Sequence, residues 1–378
     1  MKSRERMKIA MDLRKPDRVP VMCQLSIGHM LIQTKLPPAE FWFSAETYAE
    51  GLIELRSIYN FDGILISLHG HSPHWKRSVL KIDRTSNGDV IYWKNGDRTL
   101  CIPDDLPVHQ PVERRVLPNL MDFNPDCIPA KVDFIPVSQG LEFKLDPDHI
   151  YDIFYMIKEE VSSEYSIHGE ITSPFDYFLN LFGLEEAFVG LIKHPSKCLE
   201  IISKFSDCVL EIALGMADIP VDAIKISSPY AGSGFISPDF YKRFVFPFEG
   251  KIARAVREKG IHIYTHTCGS ISDRLELMIE TGVSGIECLD PPPLGDVKLE
   301  EAVRRIGHKA FIKGNIDPVN TLLFGKREEI IKDVMYKLKT GMNGKGYILS
   351  TACSVAPQVP RENLKILSEI VEKYGYYE

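Results

Sequence analysis

The chain has 378 residues, 44% of them hydrophobic, with a net charge of −7 from 45 basic and 52 acidic side chains. That balance supports a large core and excludes a disordered chain. No basic block marks nucleic acid as a partner, and no apolar run approaches the roughly 20 residues of a membrane span. The opening stretch, MKSRERMKIAMDLRKPDRVP, carries charge where a secretory signal would carry an apolar run. Eight scattered cysteines with no CxxC pair are expected to be reduced thiols, which points to a cytoplasmic protein.

In chain order, short β-rich runs alternate with amphipathic stretches. Strands are expected at Val19–Met22, Gly63–Ile66, Ser166–Glu170, Ala223–Ser227, Ile261–Thr265, Ser284–Cys288, Ala310–Gly314 and Tyr347–Ser350. Helices are expected over Ala45–Tyr59, Pro195–Met216, Pro238–Glu258, Ile271–Thr281, Leu299–Arg305, Lys326–Met342 and Arg361–Tyr374. Ser237 before Pro238, and Ser270 before Ile271, read as N-caps; Gly260 and Gly282 read as helix stops. Eight strands in this rhythm predict an α/β fold, a (β/α)8 TIM barrel formed by residues 1–378 as a single domain. An open doubly wound sheet is the alternative, but the glycine-rich phosphate turn that often accompanies it is absent. Residues 76–137 break the rhythm. SVLKIDRTSNGDVIYWKNGDRTL holds two Asn-Gly turns between alternating runs, predicting a β-hairpin insertion at the barrel mouth, with Pro-rich loops and no core of its own.

Active sites of such barrels lie at the C-terminal ends of the strands. The residues there are His69, His71, His168, Glu170, Tyr230, His266, Cys268, Glu287, Asp290, Asn315, Asp317 and Cys353. In YTHTCGS, His266 and Cys268 are two apart and face one side of an extended chain. Alone, that pair suits a packed imidazole and a buried thiol. With Cys353 closing the last strand, a His-Cys-Cys set suits Zn²⁺ with one position left open, the form of a catalytic rather than a structural site. Cys198 and Cys208 fall in a helix and Cys288 on a strand, and all three read as core. Cys23, Cys101 and Cys127 have no partner pattern.

Four stretches carry a family resemblance: SPFDYFLNLFGLEEAFVGLIKHPSKCLEII, SPDFYKRFVFPFEGKIARAVREKGIHIYTHTCGS, FIKGNIDPVNTLLFGKREEI and GYILSTACSVAPQVPRENLKIL. Together with RKPDRVPV near the start, they resemble the uroporphyrinogen decarboxylase superfamily, which implies a (β/α)8 barrel. The decarboxylases themselves carry an Arg-rich segment after the first strand, to bind the substrate's carboxylates. The corresponding MCQLSIGHMLIQ has no Arg. Asp62 in FDGILIS lies one position off the decarboxylase's second-strand aspartate, and Cys353 stands where the decarboxylase has a His. The zinc- and corrinoid-dependent methyltransferase branch fits better. These are the methylcobamide:coenzyme M methyltransferases and the relatives acting on methoxylated compounds, whose motif is His-x-Cys with a distant Cys. On that resemblance His266, Cys268 and Cys353 are the zinc ligands and catalytic residues. Glu287 or Asp290 would be a fourth ligand in the absence of substrate, and His168, Glu170 and Tyr230 would form the substrate pocket.

The function so implied is movement of a methyl group between a small substrate and the cobalt of a corrinoid. The substrate would be a methyl ether such as a methoxylated aromatic, or a thiol such as coenzyme M. No DxHxxG-type corrinoid segment occurs, so the corrinoid is expected on a separate small protein; a homodimer is one assembly this allows. The alternatives are a metal-free decarboxylase-type lyase and a non-catalytic tetrapyrrole- or corrinoid-binding barrel.

Overall fold

A computed structural model describes residues 1–378. Its centre is a curled sheet of seven parallel strands: β1 (Gly63–Ile66), β8 (Ser166–Thr172), β9 (Ala223–Ser227), β10 (His262–Thr267), β11 (Gly285–Cys288), β12 (Phe311–Ile316) and β13 (Tyr347–Thr351), in that spatial order. Helices cover the outside, so nearly every strand residue is buried on both faces, as parallel sheets require. Between β1 and β8 the chain forms two antiparallel sheets. One joins β2 (Val79–Thr85), β3 (Gly88–Trp93), β4 (Arg98–Cys101) and β5 (Val108–Gln110); the other joins β6 (Phe134–Val137) and β7 (Leu141–Lys144).

The eighth stave is not a regular strand. Residues 18–25 run between β13 and β1, touching Leu349 and Val355 through single bridges. Leu349 N donates to Pro20 O (2.9 Å), Met22 N to Leu349 O (3.1 Å), and Asp62 N to Val21 O (2.8 Å). Two local causes interrupt the ladder expected at Val19–Met22. Pro20 has no N–H to give, and the Asp62 side chain accepts Val21 N (2.8 Å). The barrel is closed, but by an extended segment tied at a few points. Its N-terminal end is plugged by a helix over Ser3–Met11 that sequence periodicity did not suggest. Met7, Ala10 and Met11 pack there on Met22, Leu65, Ala223, Tyr264, Phe311 and Ile348.

Most expected helices form, with two corrections. The stretch from Pro238 to Glu258 is two helices, Pro238–Phe244 and Phe246–Glu258, broken at Val245. Pro247 lacks the N–H that a continuous helix would use there. The helix expected from Ile271 starts at Leu275, because the Asp296 carboxylate takes Ile271 N and Ser272 N at 3.0 and 3.1 Å and holds them in a turn. In the insertion the two turns fall at Ser86-Asn87, closed by Gly88, and at Lys94-Asn95-Gly96, with both glycines at positive φ. This sheet packs against residues from outside the insertion in a small apolar cluster. Ile91 and Cys101 pack with Ala39, flanked by Phe43, Trp75 and Trp93.

Candidate metal centre

Parallel register places side chains of one kind in one row. His266 on β10 is paired with Glu287 on β11, and Glu287 with Lys313 on β12. On the other side, Tyr264 is paired with Lys225 on β9, and Lys225 with Glu170 on β8. Paired residues share a face, so charged groups gather inside the barrel under the C-terminal rim. Glu287 Oε2 lies 3.1 Å from His266 Nδ1, and its other oxygen accepts a hydrogen bond from Lys313 Nζ. Lys225 Nζ lies 3.0 Å from Glu170 and 3.6 Å from Glu287, and donates to Gln24 Oε1 at 2.8 Å. Lys225 and Lys313 are wholly enclosed. Burying them is tolerable only because each meets a carboxylate.

With Nδ1 engaged by Glu287, His266 turns Nε2 toward the rim. Nε2 lies 3.3 Å from Cys268 Sγ and 4.0 Å from Cys353 Sγ, and the two sulfurs are 3.6 Å apart. A tetrahedral zinc with bonds near 2.3 Å spaces its sulfur ligands roughly 3.8 Å apart. The three predicted ligands therefore already stand at the edges of such a tetrahedron. A fourth donor joins them: Cys288 Sγ completes a set in which all donor atoms lie within 4.8 Å of one another. An imidazole and three thiols form a borderline-soft set that fits Zn²⁺ and not Mg²⁺ or Ca²⁺.

Cys288 is, as expected, a buried residue of a strand, but its sulfur faces the donor cluster. In a continuing strand it would follow Thr267, its register partner, to the face opposite His266 and Glu287. Instead Cys288 and Leu289 both take positive φ, 83° and 55°. That conformation costs a non-glycine residue about 1–3 kcal/mol. It turns the chain so that the sulfur meets the cluster. Asn315 holds the turn, donating from Nδ2 to Leu289 O at 2.8 Å.

Charge follows geometry. Burial pushes the Glu287 carboxyl up, but Lys313 and Lys225 outweigh it and hold the group well below the usual carboxylate range. Hydrogen bonds from Cys268 and Cys288, helped by His266, hold Cys353 well below an ordinary thiol. Burial keeps Cys288 high.

The structure separates the remaining expected residues. Glu287 is outside the donor set and orients His266 instead. Asp290 is also outside it: Oδ2 accepts Gly269 N at 2.6 Å, while Oδ1 is buried without a partner. Glu170, Tyr230 and Cys268 line a cavity of about 1090 Å³ that opens at the rim, whose apolar wall includes Trp42, Leu106, Ile135 and Phe235. His168 does not line it; it is sealed below, against Tyr264 Oη (3.0 Å) and Ser166 Oγ (3.1 Å). His69 and His71 are packed among Phe154, Tyr48 and Phe143. Asp317 caps a turn by accepting Val319 N and Asn320 N, both at 2.8 Å. Sequence reasoning missed Lys225 and Lys313, whose only signal was a lysine inside an otherwise apolar strand.

The family model described as "Uroporphyrinogen decarboxylase (URO-D)" matches residues 126–374. Among curated proteins, the methylcobamide:CoM methyltransferase MtbA of Methanosarcina acetivorans is 27% identical over 228 residues, 60% of this chain and 64% of that protein. MtaA of Methanosarcina barkeri is 24% identical over 60% of this chain and 63% of its own length. A uroporphyrinogen decarboxylase of Microcystis aeruginosa is 25% identical over 61% of this chain and 67% of its own. The chain thus spans just under two thirds of the length of the first methyltransferase. Among solved structures, a methyltransferase from Methanosarcina mazei superposes over 99% of both chains, with a TM-score of 0.73 at 19% identity. That likeness establishes the TIM-barrel fold.

Proposed function

The chain belongs to the uroporphyrinogen decarboxylase family, and on that premise we propose that it is a zinc-dependent methyltransferase. It would move a methyl group between a small methyl ether or thiol and the cobalt of a corrinoid carried by a separate small protein. One observation carries this reading. His266, Cys268 and Cys353 present three soft donor atoms 3.3–4.0 Å apart, and Cys268 stands in the wall of a cavity of about 1090 Å³. The methyltransferases MtbA and MtaA among its relatives support it.

Zinc held by His266, Cys268 and Cys353 would supply Lewis acidity, stabilising a thiolate or drawing charge from an ether oxygen. The protein's own groups do the rest. Glu287 accepts His266 Nδ1–H and so aims Nε2 at the cluster, a partnership typical of histidine ligands. Lys313 and Lys225 fix the Glu287 carboxylate in turn. Glu170 and Tyr230 are among the polar groups of a mixed cavity wall, at which a small substrate would be oriented. Holding the two reactants in line accounts for much of the acceleration such a transfer needs.

The cavity argues against the decarboxylase reading. Arg115 is its only cationic lining residue, and Arg115 is engaged by Glu142 and Asn180; Asp105, Glu170 and Asp176 are acidic. A polycarboxylate substrate would require several free cations. The test is to mix the protein with methylated corrinoid and a panel of thiols, and separately with Co(I) corrinoid and methyl ethers or amines, following the cobalt absorbance. Transfer with one class of substrate is the expected result; no transfer with any of them overturns the proposal.

A further inference from the structure

The proposed function leaves the fourth position of the metal to substrate. We propose that this position is filled at rest by Cys288, which makes the site a closed set of one nitrogen and three sulfurs. The inference rests on the zinc reading and deepens it.

Three observations converge on Cys288. Its sulfur shares a sphere with His266, Cys268 and Cys353, all four donor atoms lying within 4.8 Å. The chain leaves β-strand geometry at this residue, with positive φ at both Cys288 and Leu289, and Asn315 braces the turn. That turn gives the barrel a thiol where regular alternation would have pointed it outward. Asp290 has one oxygen committed to Gly269 N and contributes no atom to the cluster.

The groups beneath the site are balanced among themselves, so a third thiolate would have its charge met by the metal and by hydrogen bonds. Three thiolates, a neutral imidazole and a divalent zinc carry one net negative charge. The buried ammonium groups of Lys225 and Lys313 stand just beneath, next to Glu287 and Glu170. On substrate binding Cys288 would give up its place to the substrate's donor atom; where the substrate is a thiol, the proton it loses would pass to the Cys288 sulfur, with nothing oxidised or reduced. Cys268 and Cys353 are partly exposed whereas Cys288 is fully enclosed.

X-ray absorption on the zinc-loaded, substrate-free protein tests this without any turnover. The expected result is three sulfur neighbours and one nitrogen in the native chain, and two sulfurs in Cys288→Ser with one metal per chain retained. With Co²⁺ in place of zinc, the thiolate charge-transfer absorption should fall by about a third in that variant. Two sulfurs in the native protein, or a spectrum unchanged by the substitution, overturn the role of Cys288 and leave the three-ligand methyltransferase reading intact. Metal content unaffected by Cys268→Ser and Cys353→Ser overturns both. If Cys288→Ser does not fold, cadmium NMR of the native protein still counts its thiolates, and a shift typical of two sulfurs overturns the inference.

Discussion

Glu287 Oε2 stands 3.1 Å from His266 Nδ1, at the meeting point of two register-paired strands. The same carboxylate pairs with the enclosed Lys313 and, together with Glu170, with Lys225. It therefore has two separable duties, orienting a metal ligand and balancing buried charge.

Glu287→Gln keeps an oxygen for the His266 N–H but loses the negative charge. Zinc affinity should fall roughly 10–100-fold, the usual effect of removing a partner behind a histidine ligand. Competition against a chromophoric chelator measures it. Glu287→Ala should also lose stability, by about 3–5 kcal/mol, since the buried Lys313 loses its carboxylate partner while Lys225 keeps only Glu170. Affinity equal to that of the native protein in both variants would show that the contact is incidental.

Asp62 should behave in the opposite way. It lies at the N-terminal end of β1, the end away from the metal cluster. It accepts from Arg6 Nη1 (2.6 Å), Arg18 Nη1 (2.9 Å), Ser3 Oγ (2.7 Å) and Val21 N (2.8 Å). Its place in FDGILIS invites comparison with a catalytic aspartate, yet its contacts are those of a clamp joining the N-terminal helix to the barrel. Asp62→Asn should cost about 3–5 kcal/mol in chemical denaturation, with metal content per chain unchanged. Loss of metal at full stability would contradict this.

Two enclosed histidines set a limit on acid stability. Burial lowers His29 and His69 from 6.5 to about 4 each. A histidine depressed in the fold is neutral there, while the unfolded chain takes up a proton near 6.5. Its contribution is present above that pH, is lost as pH falls from 6.5 toward 4, and each group removes about 1.4 kcal/mol per pH unit over the window. Denaturation at stepped pH should show this slope, and His29→Gln should flatten it. An unchanged slope in the variant would rule out His29 as a source.

Asp176 acts at the other end of the scale. Burial raises its carboxyl to about 8 against the pull of the Ser173 hydrogen bond. A raised carboxyl contributes stability that is fully present below its unfolded value of 3.8 and lost as pH rises toward 8. Asp176→Asn retains an acceptor for Ser173 and has no charge to desolvate. The variant should be more stable than the native chain by about 2–5 kcal/mol near pH 8 and no different below pH ~4. A variant less stable at both would refute the assignment.

The pattern of what was legible in the sequence follows from the physics. Strands β8 to β13 announce themselves because each is a short segment built round isoleucine and other β-branched or aromatic residues, set between helical stretches. His266 and Cys268 were legible because alternation holds to the end of β10, and Cys353 because it closes β13. Cys288 was not, since a left-handed turn at a non-glycine residue leaves no mark in composition. The Lys225–Glu287–Lys313 network was hidden because only register brings those residues together. The strand expected at Val19–Met22 failed where Pro20 and the Asp62 side chain interrupt its ladder, and the helix from Pro238 failed ahead of Pro247.

The central claim is that metal bound by His266, Cys268 and Cys353 governs methyl transfer. The most direct measurement follows cobalt absorbance with methylated corrinoid and the best acceptor, in native protein, after chelation, and after zinc is restored. Transfer should be lost on chelation and return with one equivalent of zinc, and Cys268→Ser and Cys353→Ser should neither retain the metal nor recover. Undiminished transfer in the metal-free protein would contradict it.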